Sequence, residues 1–96
     1  MRVMISQPMK GKTDVQIRKE RQSVISMLEQ EGHEVVDTVF EGESYAKHEG
    51  VQYLAWSINA MANVDAVVFM EGWEDARGCC IEYEVARRYG LYTRFL

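Results

Sequence analysis

The 96-residue chain is predicted to be a single α/β domain built on a parallel sheet. Three observations predict it. Short, wholly apolar runs recur along the chain. Between them lie longer stretches whose apolar residues fall at helical spacing. Glycines close the first and the third of those stretches. Apolar strands alternating with amphipathic helices imply strands buried on both faces and joined by helical crossovers.

The elements follow in order. Arg2 to Ser6 (RVMIS) reads as a first buried strand. Gln7 to Lys12 (QPMKGK) is a turn punctuated by Pro8 and Gly11. Thr13 and Gln16 then stand in capping-box spacing, opening a helix that runs to about Glu31 and stops at Gly32. Ile17, Val24 and Leu28 share one face of it. Glu34 to Val36, extending toward Phe40, is the second strand, and the polar stretch Glu41 to Gly50 is loop. The next helix has the most regular pattern: Val51, Leu54, Ala55, Ile58, Met61 and Ala62 are expected on its buried face. Ala66 to Met70 (AVVFM) is a third strand, Glu71 to Gly78 a turn, Cys79 to Tyr89 a third helix ending at Gly90, and Leu91 to Phe95 a last strand. Right-handed crossovers leave few arrangements. The expectation is a minimal doubly wound, flavodoxin- or Rossmann-like sheet of four strands, order 2-1-3-4, with three helices over residues 1–96.

Composition narrows the function. Fifteen acidic against 11 basic residues give a net charge of −4, which argues against a partner that is a nucleic-acid polymer. No apolar run approaches the ~18 residues of a membrane span. The opening MRVMISQPMK lacks the apolar stretch of a signal peptide, so a cytoplasmic protein is expected. Cys79 and Cys80 are adjacent, cannot join distant segments and lack zinc-site spacing, so reduced thiols are expected, with no metal and no cofactor.

In doubly wound sheets ligands bind beyond the carboxyl ends of the strands, where the strand order reverses. Order 2-1-3-4 puts that point between the first and third strands, where Ser6 to Lys12 and Glu71 to Gly78 converge. Gly11-Lys12-Thr13 resembles the tail of a phosphate-binding P-loop, but Ser6 occupies the position of its first glycine. Two readings remain for that loop: helix-start amides with Lys10 or Lys12 holding an anion, or a tight turn shaped by Pro8 and Gly11. On the third helix Glu82 shares a face with the small residues Cys79 and Ala86, whereas Glu84 points elsewhere and is solvated. A carboxylate on a packing face costs energy unless it is paired. From spacing alone it is either functional or a structural acid near a helix start.

Three segments in order, ISQPMKG at Ile5 to Gly11, VDAVVFMEGW at Val64 to Trp73 and ARGCCIEYEVARRYG at Ala76 to Gly90, resemble the nucleoside 2-deoxyribosyltransferase superfamily, closest to its small branch. Gly78, Glu82 and Ala86 match that family's glycine, glutamate and alanine. The resemblance implies that Glu82 is the nucleophile at the anomeric carbon of a nucleoside or nucleotide, in transfer to another base or to water. It implies Ser6, Gln7, Pro8, Met9, Lys10 and Gly11 on one wall of the substrate site, and Trp73, Asp75, Arg77 and Gly78 on the other. Trp73 would face the base; its alternative is an aromatic capping the core edge. A nucleophile must be ionised, so the Glu82 pKa is expected well below 7. Lys10, Lys12 and Arg77 would favour a 5′-phosphate. The chain departs from the family pattern at Ala76, where a serine or acid is usual, and at Ser57, where many members carry aspartate. Asp65 matches the family, and equally fits a helix-to-strand junction. The family builds sites across subunits, so a homodimer or higher homo-oligomer is expected, with Tyr45, Tyr53 and Trp56 as contact candidates. The competing reading is a nucleotide-binding or assembly module without turnover.

Overall fold

The computed structural model describes residues 1–38 and 45–96. Its elements are β1 (Arg2–Ser6), α1 (Asp14–Gln30), β2 (Glu34–Val36), α2 (Glu49–Met61), β3 (Ala66–Phe69), a 3₁₀ turn (Trp73–Asp75), α3 (Arg77–Tyr89) and β4 (Tyr92–Phe95). The four strands form one all-parallel sheet in the order β2-β1-β3-β4, as predicted. β2 ends at Val36, short of its expected extension at Asp37 and Thr38; residues 39–40 of that extension and 41–44 of the expected loop lie outside the described residues. Helices α2 and α3 each begin two residues before their expected starts.

Local chemistry explains the boundaries. Thr13 caps α1: its hydroxyl accepts from the Gln16 amide at 3.2 Å, and the Gln16 side chain accepts from the Thr13 amide at 2.9 Å. At the other end Gly32, at φ +91°, turns the chain so that the His33 amide reaches the Leu28 carbonyl at 3.0 Å and the Gly32 amide reaches Glu29 at 2.9 Å. That is the Schellman arrangement, which satisfies carbonyls left over at a helix end.

The pleat sorts β1 between two cores. Val3 and Ile5 pack with Ala66, Val68 and the α1 residues Val24 and Leu28. Met4 packs on the opposite face with Val67, Phe69, Met61 of α2 and Ala86 of α3. So α1 covers one face, and α2 and α3 the other. This is why β1 and β3 are apolar at every position from Val3 to Ile5 and from Ala66 to Phe69.

Helix α2 departs from expectation. Of the six residues assigned to its buried face, only Met61 is buried; Val51 is 65 % exposed, and Ala55 and Ala62 are also exposed. Its periodic apolar stripe is wider than the strip of sheet and α3 that it contacts. Burial is decided by what lies opposite a side chain, and periodicity carries no information about that. Among the described residues no helix is long and apolar enough to cross a membrane.

Candidate functional site

Because all four strands run the same way, the loops after β1 and β3 emerge at one end of the sheet, side by side. A cleft of about 1040 Å³ opens there, at the upper limit of small-molecule sites. The loop after β1 contributes Gln7, Pro8, Met9 and Lys10 to its wall. The segment around the 3₁₀ turn and the start of α3 contributes Asp75, Arg77 and Gly78. Glu82, one turn into α3, also lines it. Eight of the eleven residues proposed from sequence therefore share one cavity.

The other three are placed differently. Ser6 is 1 % exposed, so it lies beneath the cleft surface, where its hydroxyl acts on Glu82 and Cys79. Gly11, at φ +79°, forms the turn that brings the Lys12 amide to the Met9 carbonyl at 3.2 Å and does not line the cleft. Trp73 corrects the expectation that it faces a base. It does not line the cleft, and its ring packs against Phe69 (5.2 Å between centroids), Tyr83 (5.0 Å) and Phe95 (5.2 Å). Four aromatic rings in mutual contact close the end of the core, and that packing takes the indole. Asp65 is likewise structural: its carboxylate accepts from the Arg2 amide at 2.8 Å, where β3 begins, at the opposite end of the sheet.

Glu82 is 8 % exposed and packs beside Cys79 and Ala86, both buried, on the face predicted for it. Burial pushes its pKa from an ordinary 4.5 up to about 7; the Ser6 hydroxyl and the Arg21 guanidinium pull it the other way. This corrects the expectation of a pKa well below 7. Desolvation outweighs the stabilising groups because the pairing is incomplete. Neither Glu82 Oε2 nor Ser6 Oγ closes a hydrogen bond of good geometry, so the hydroxyl's pull on the carboxylate is a weak one. Cys79, beside them, has its thiol pushed up to about 11, chiefly by burial, and is neutral and inert at physiological pH. Glu84 is solvated as expected and bridges Arg87 at 3.0 Å and Arg88 at 2.9 Å.

The rim is cationic with acidic interruptions. Lys10, Lys12, Arg18 and Arg77 line it together with Asp14 and Asp75. Lys12 is held by Glu20 at 2.8 Å, which draws it along α1. The amides of the first turn of α3 open on the same wall through Ala76, Arg77 and Gly78. Gln7 is oriented by its side-chain amide donating to the Ile17 carbonyl at 2.9 Å, which leaves its Oε1 buried without a partner. Among the described residues no three His, Cys, Asp or Glu side chains gather to hold a metal ion.

A model of the family described as "Domain of unknown function (DUF4406)" matches residues 1–95. The chain belongs to the DUF4406 family. No curated protein matches it, and neither does any solved structure. The match spans this DUF4406 domain from before β1 to the end of β4, and so includes both loops of the cleft and Glu82.

Several contributors to this DUF4406 site were not among the site residues proposed from sequence. Tyr53 and Leu54 of α2 line the cleft, as does Ser57. Thr38, two residues beyond β2, also lines it. Arg21 is the most informative omission. It is 3 % exposed on the α1 face that carries Ile17, Val24 and Leu28. It stands four residues after Ile17 and three before Val24, so the argument that singled out Glu82, a charge inside a packing stripe, applies to it equally.

Proposed function

We propose that the chain cleaves the N-glycosidic bond of a nucleoside or nucleotide, with Glu82 as the nucleophile. The observation that carries this reading is one buried carboxyl at the floor of a ligand-sized cleft whose rim is cationic. In the first step a Glu82 carboxylate oxygen bonds to the anomeric carbon as the carbon–nitrogen bond breaks. The base leaves with that electron pair and takes up a proton. In the second step water or another base attacks the same carbon and frees the carboxylate, as in retaining glycoside hydrolysis. Lys10, Arg18 and Arg77 offer charge to a 5′-phosphate at the rim. The resemblance to nucleoside 2-deoxyribosyltransferases at Gly78, Glu82 and Ala86 supports the same role for the carboxylate.

A carboxyl with a pKa of about 7 is half ionised at neutral pH, and holding it fully charged costs on the order of 3 kcal/mol. A charge held at that cost attacks readily, because its solvation is already weak. The same raised pKa favours a second reading, in which a neutral Glu82 donates to a bound nucleotide without turnover. The experiment is a screen of nucleosides and their 5′-monophosphates for released base, with Glu82→Ala and Glu84→Ala as the paired controls. Base release lost only in the first variant supports the enzyme. Calorimetric binding without release supports the module, and neither binding nor release leaves an assembly role.

We also propose that the chain pairs with a second copy. Helix α2 carries one charged residue, Glu49, and its Tyr53 and Trp56 form an edge-to-face pair 5.5 Å apart, with Tyr45 92 % exposed nearby in sequence. Sedimentation that shows only monomer at high protein concentration would remove this proposal. Free thiols at Cys79 and Cys80 fit the reducing cytoplasm we propose for it.

A further inference from the structure

Beneath the cleft floor lies a second buried charge. Arg21 is 3 % exposed, and its guanidinium is clamped from the side of β2: NH2 donates to Thr38 Oγ1 at 3.1 Å, and Thr38 Oγ1 in turn donates to the Ile5 carbonyl at 3.4 Å. Asp37 Oδ1 stands 3.7 Å from Nε, on a side chain 69 % exposed. Water screens so exposed a carboxylate, so it compensates the guanidinium only in part. A buried guanidinium without full compensation costs several kcal/mol. Among the described residues Nε and Nη1 close no hydrogen bond, and neither does Glu82 Oε2. Thr38, which holds Arg21, lines the cleft together with Ile5, Ile17 and Glu82. The buried cation and the buried anion therefore sit under one floor, each incompletely paired and each within electrostatic reach of the other.

We infer that Arg21 is a positioning residue whose buried guanidinium is the counter-charge to Glu82, with Thr38 as the clamp that holds it in place. This rests on the role proposed for Glu82, and it identifies what keeps that carboxylate usable once it is buried. The other groups facing Glu82 cannot take this part. Ser6 on β1 is neutral. Cys79 on α3 is a neutral thiol. Lys10, Lys12, Arg18 and Arg77 line the cleft beside Asp14 and Asp75, charges of both signs. Burial lowers the Arg21 pKa, whereas Asp37 and then Glu82 raise it, so the guanidinium is charged and shared between two carboxylates.

The test reads Glu82 directly and needs no activity, so it stands apart from the proposed reaction. The Glu82 side-chain carboxyl is followed by carbon NMR against pH in the free protein, in the wild type, Arg21→Met and Arg21→Lys. Arg21→Met should raise the midpoint by about one unit or more, the usual effect of a neighbouring guanidinium, and Arg21→Lys should restore most of it. A midpoint unmoved in a folded Arg21→Met protein overturns the inference. Should Arg21→Met fail to fold, the wild type suffices. The Arg21 side-chain nitrogen resonances should shift with the same midpoint as Glu82, and that shift should vanish in Glu82→Gln. Arg21 nitrogens that follow only a titration in the ordinary carboxylate range, as Asp37 would impose, overturn it equally.

Discussion

A Cβ placed on Gly78 would stand 3.9 Å from Glu82 Oε1 and 4.0 Å from Leu54 Cδ1. Those are ordinary contact distances, and Gly78 does not have a positive φ. The glycine is therefore not required by the backbone. It leaves open space beside the carboxylate oxygen that faces the cleft. With no side chain at Gly78, that oxygen is left uncovered from this side.

That relationship predicts opposite effects on stability and function. Gly78→Ala should stabilise the chain by about 0.5–1 kcal/mol, since alanine is the better helix residue. The added methyl should lower base release, or nucleotide affinity if there is no turnover, by roughly tenfold or more, because it fills space beside the carboxylate that a bound sugar would occupy and so shifts the substrate by a fraction of an ångström. Thermal denaturation and the release assay on the same preparation check it. A stabilised variant with full activity would show that the space above Glu82 is not used.

Glu82 makes stability depend on pH. Its folded pKa of about 7 lies above the ordinary 4.5, so the folded state holds this proton more tightly than the unfolded state. The contribution is present in full below about 4.5 and is lost as pH rises through 7. Glu82→Gln should therefore be the more stable protein at pH 8, by on the order of 2 kcal/mol, with the advantage shrinking toward pH 4.5. Urea unfolding of both proteins at the two pH values measures it. The opposite trend would mean that the carboxylate is well compensated when folded.

If Glu82 is the nucleophile, base release should rise with pH along a single ionisation near 7 and level off above it. A substrate carrying a 5′-phosphate should move that midpoint upward, because a second anion disfavours the carboxylate. Activity that falls over the same range would instead assign Glu82 as a proton donor.

The aromatic packing of Trp73 predicts a structural penalty. Trp73 is half-buried, so Trp73→Ala should destabilise by about 2 kcal/mol, less than a fully buried aromatic would, while Trp73→Phe should lose less and keep the KM or Kd of the wild type. A large loss of affinity in Trp73→Phe at unchanged stability would return the indole to the ligand.

Thr13 anchors the start of α1 directly after the loop that walls the cleft. Thr13→Ala should cost about 1 kcal/mol, because the Gln16 amide loses its acceptor and Gln16 loses a fixed partner geometry. Amide hydrogen exchange should quicken first over the opening turn of α1. Uniform exchange across the chain in both proteins would show that the box adds nothing locally.

Much of the fold was legible because its signals are local. Apolar runs at Val3 to Ile5 and Ala66 to Phe69 belong to strands covered on both faces, Thr13 and Gln16 state a helix start, and Gly32 and Gly90 state helix ends at positive φ. Right-handed crossovers then leave little choice of strand order. The converging loops and the face of Glu82 followed from that order. The failures all concern what lies opposite a side chain. Val51 and Met61 share one periodic stripe, and only Met61 meets the core. Trp73 could face a ligand or other rings, and Phe69, Tyr83 and Phe95 reach it from three separate elements. Arg21 and Glu82 stand 61 positions apart and influence each other only because the sheet brings α1 and α3 to the same end. The sequence by itself determined the elements, their order and the end of the sheet where the cleft opens, since periodicity, caps and chain handedness act over a few residues or follow from chirality. Only the tertiary structure decided which charges are buried together and how far the Glu82 carboxyl is from ionising freely, because desolvation and Coulomb energy depend on distances through space that no spacing along the chain encodes.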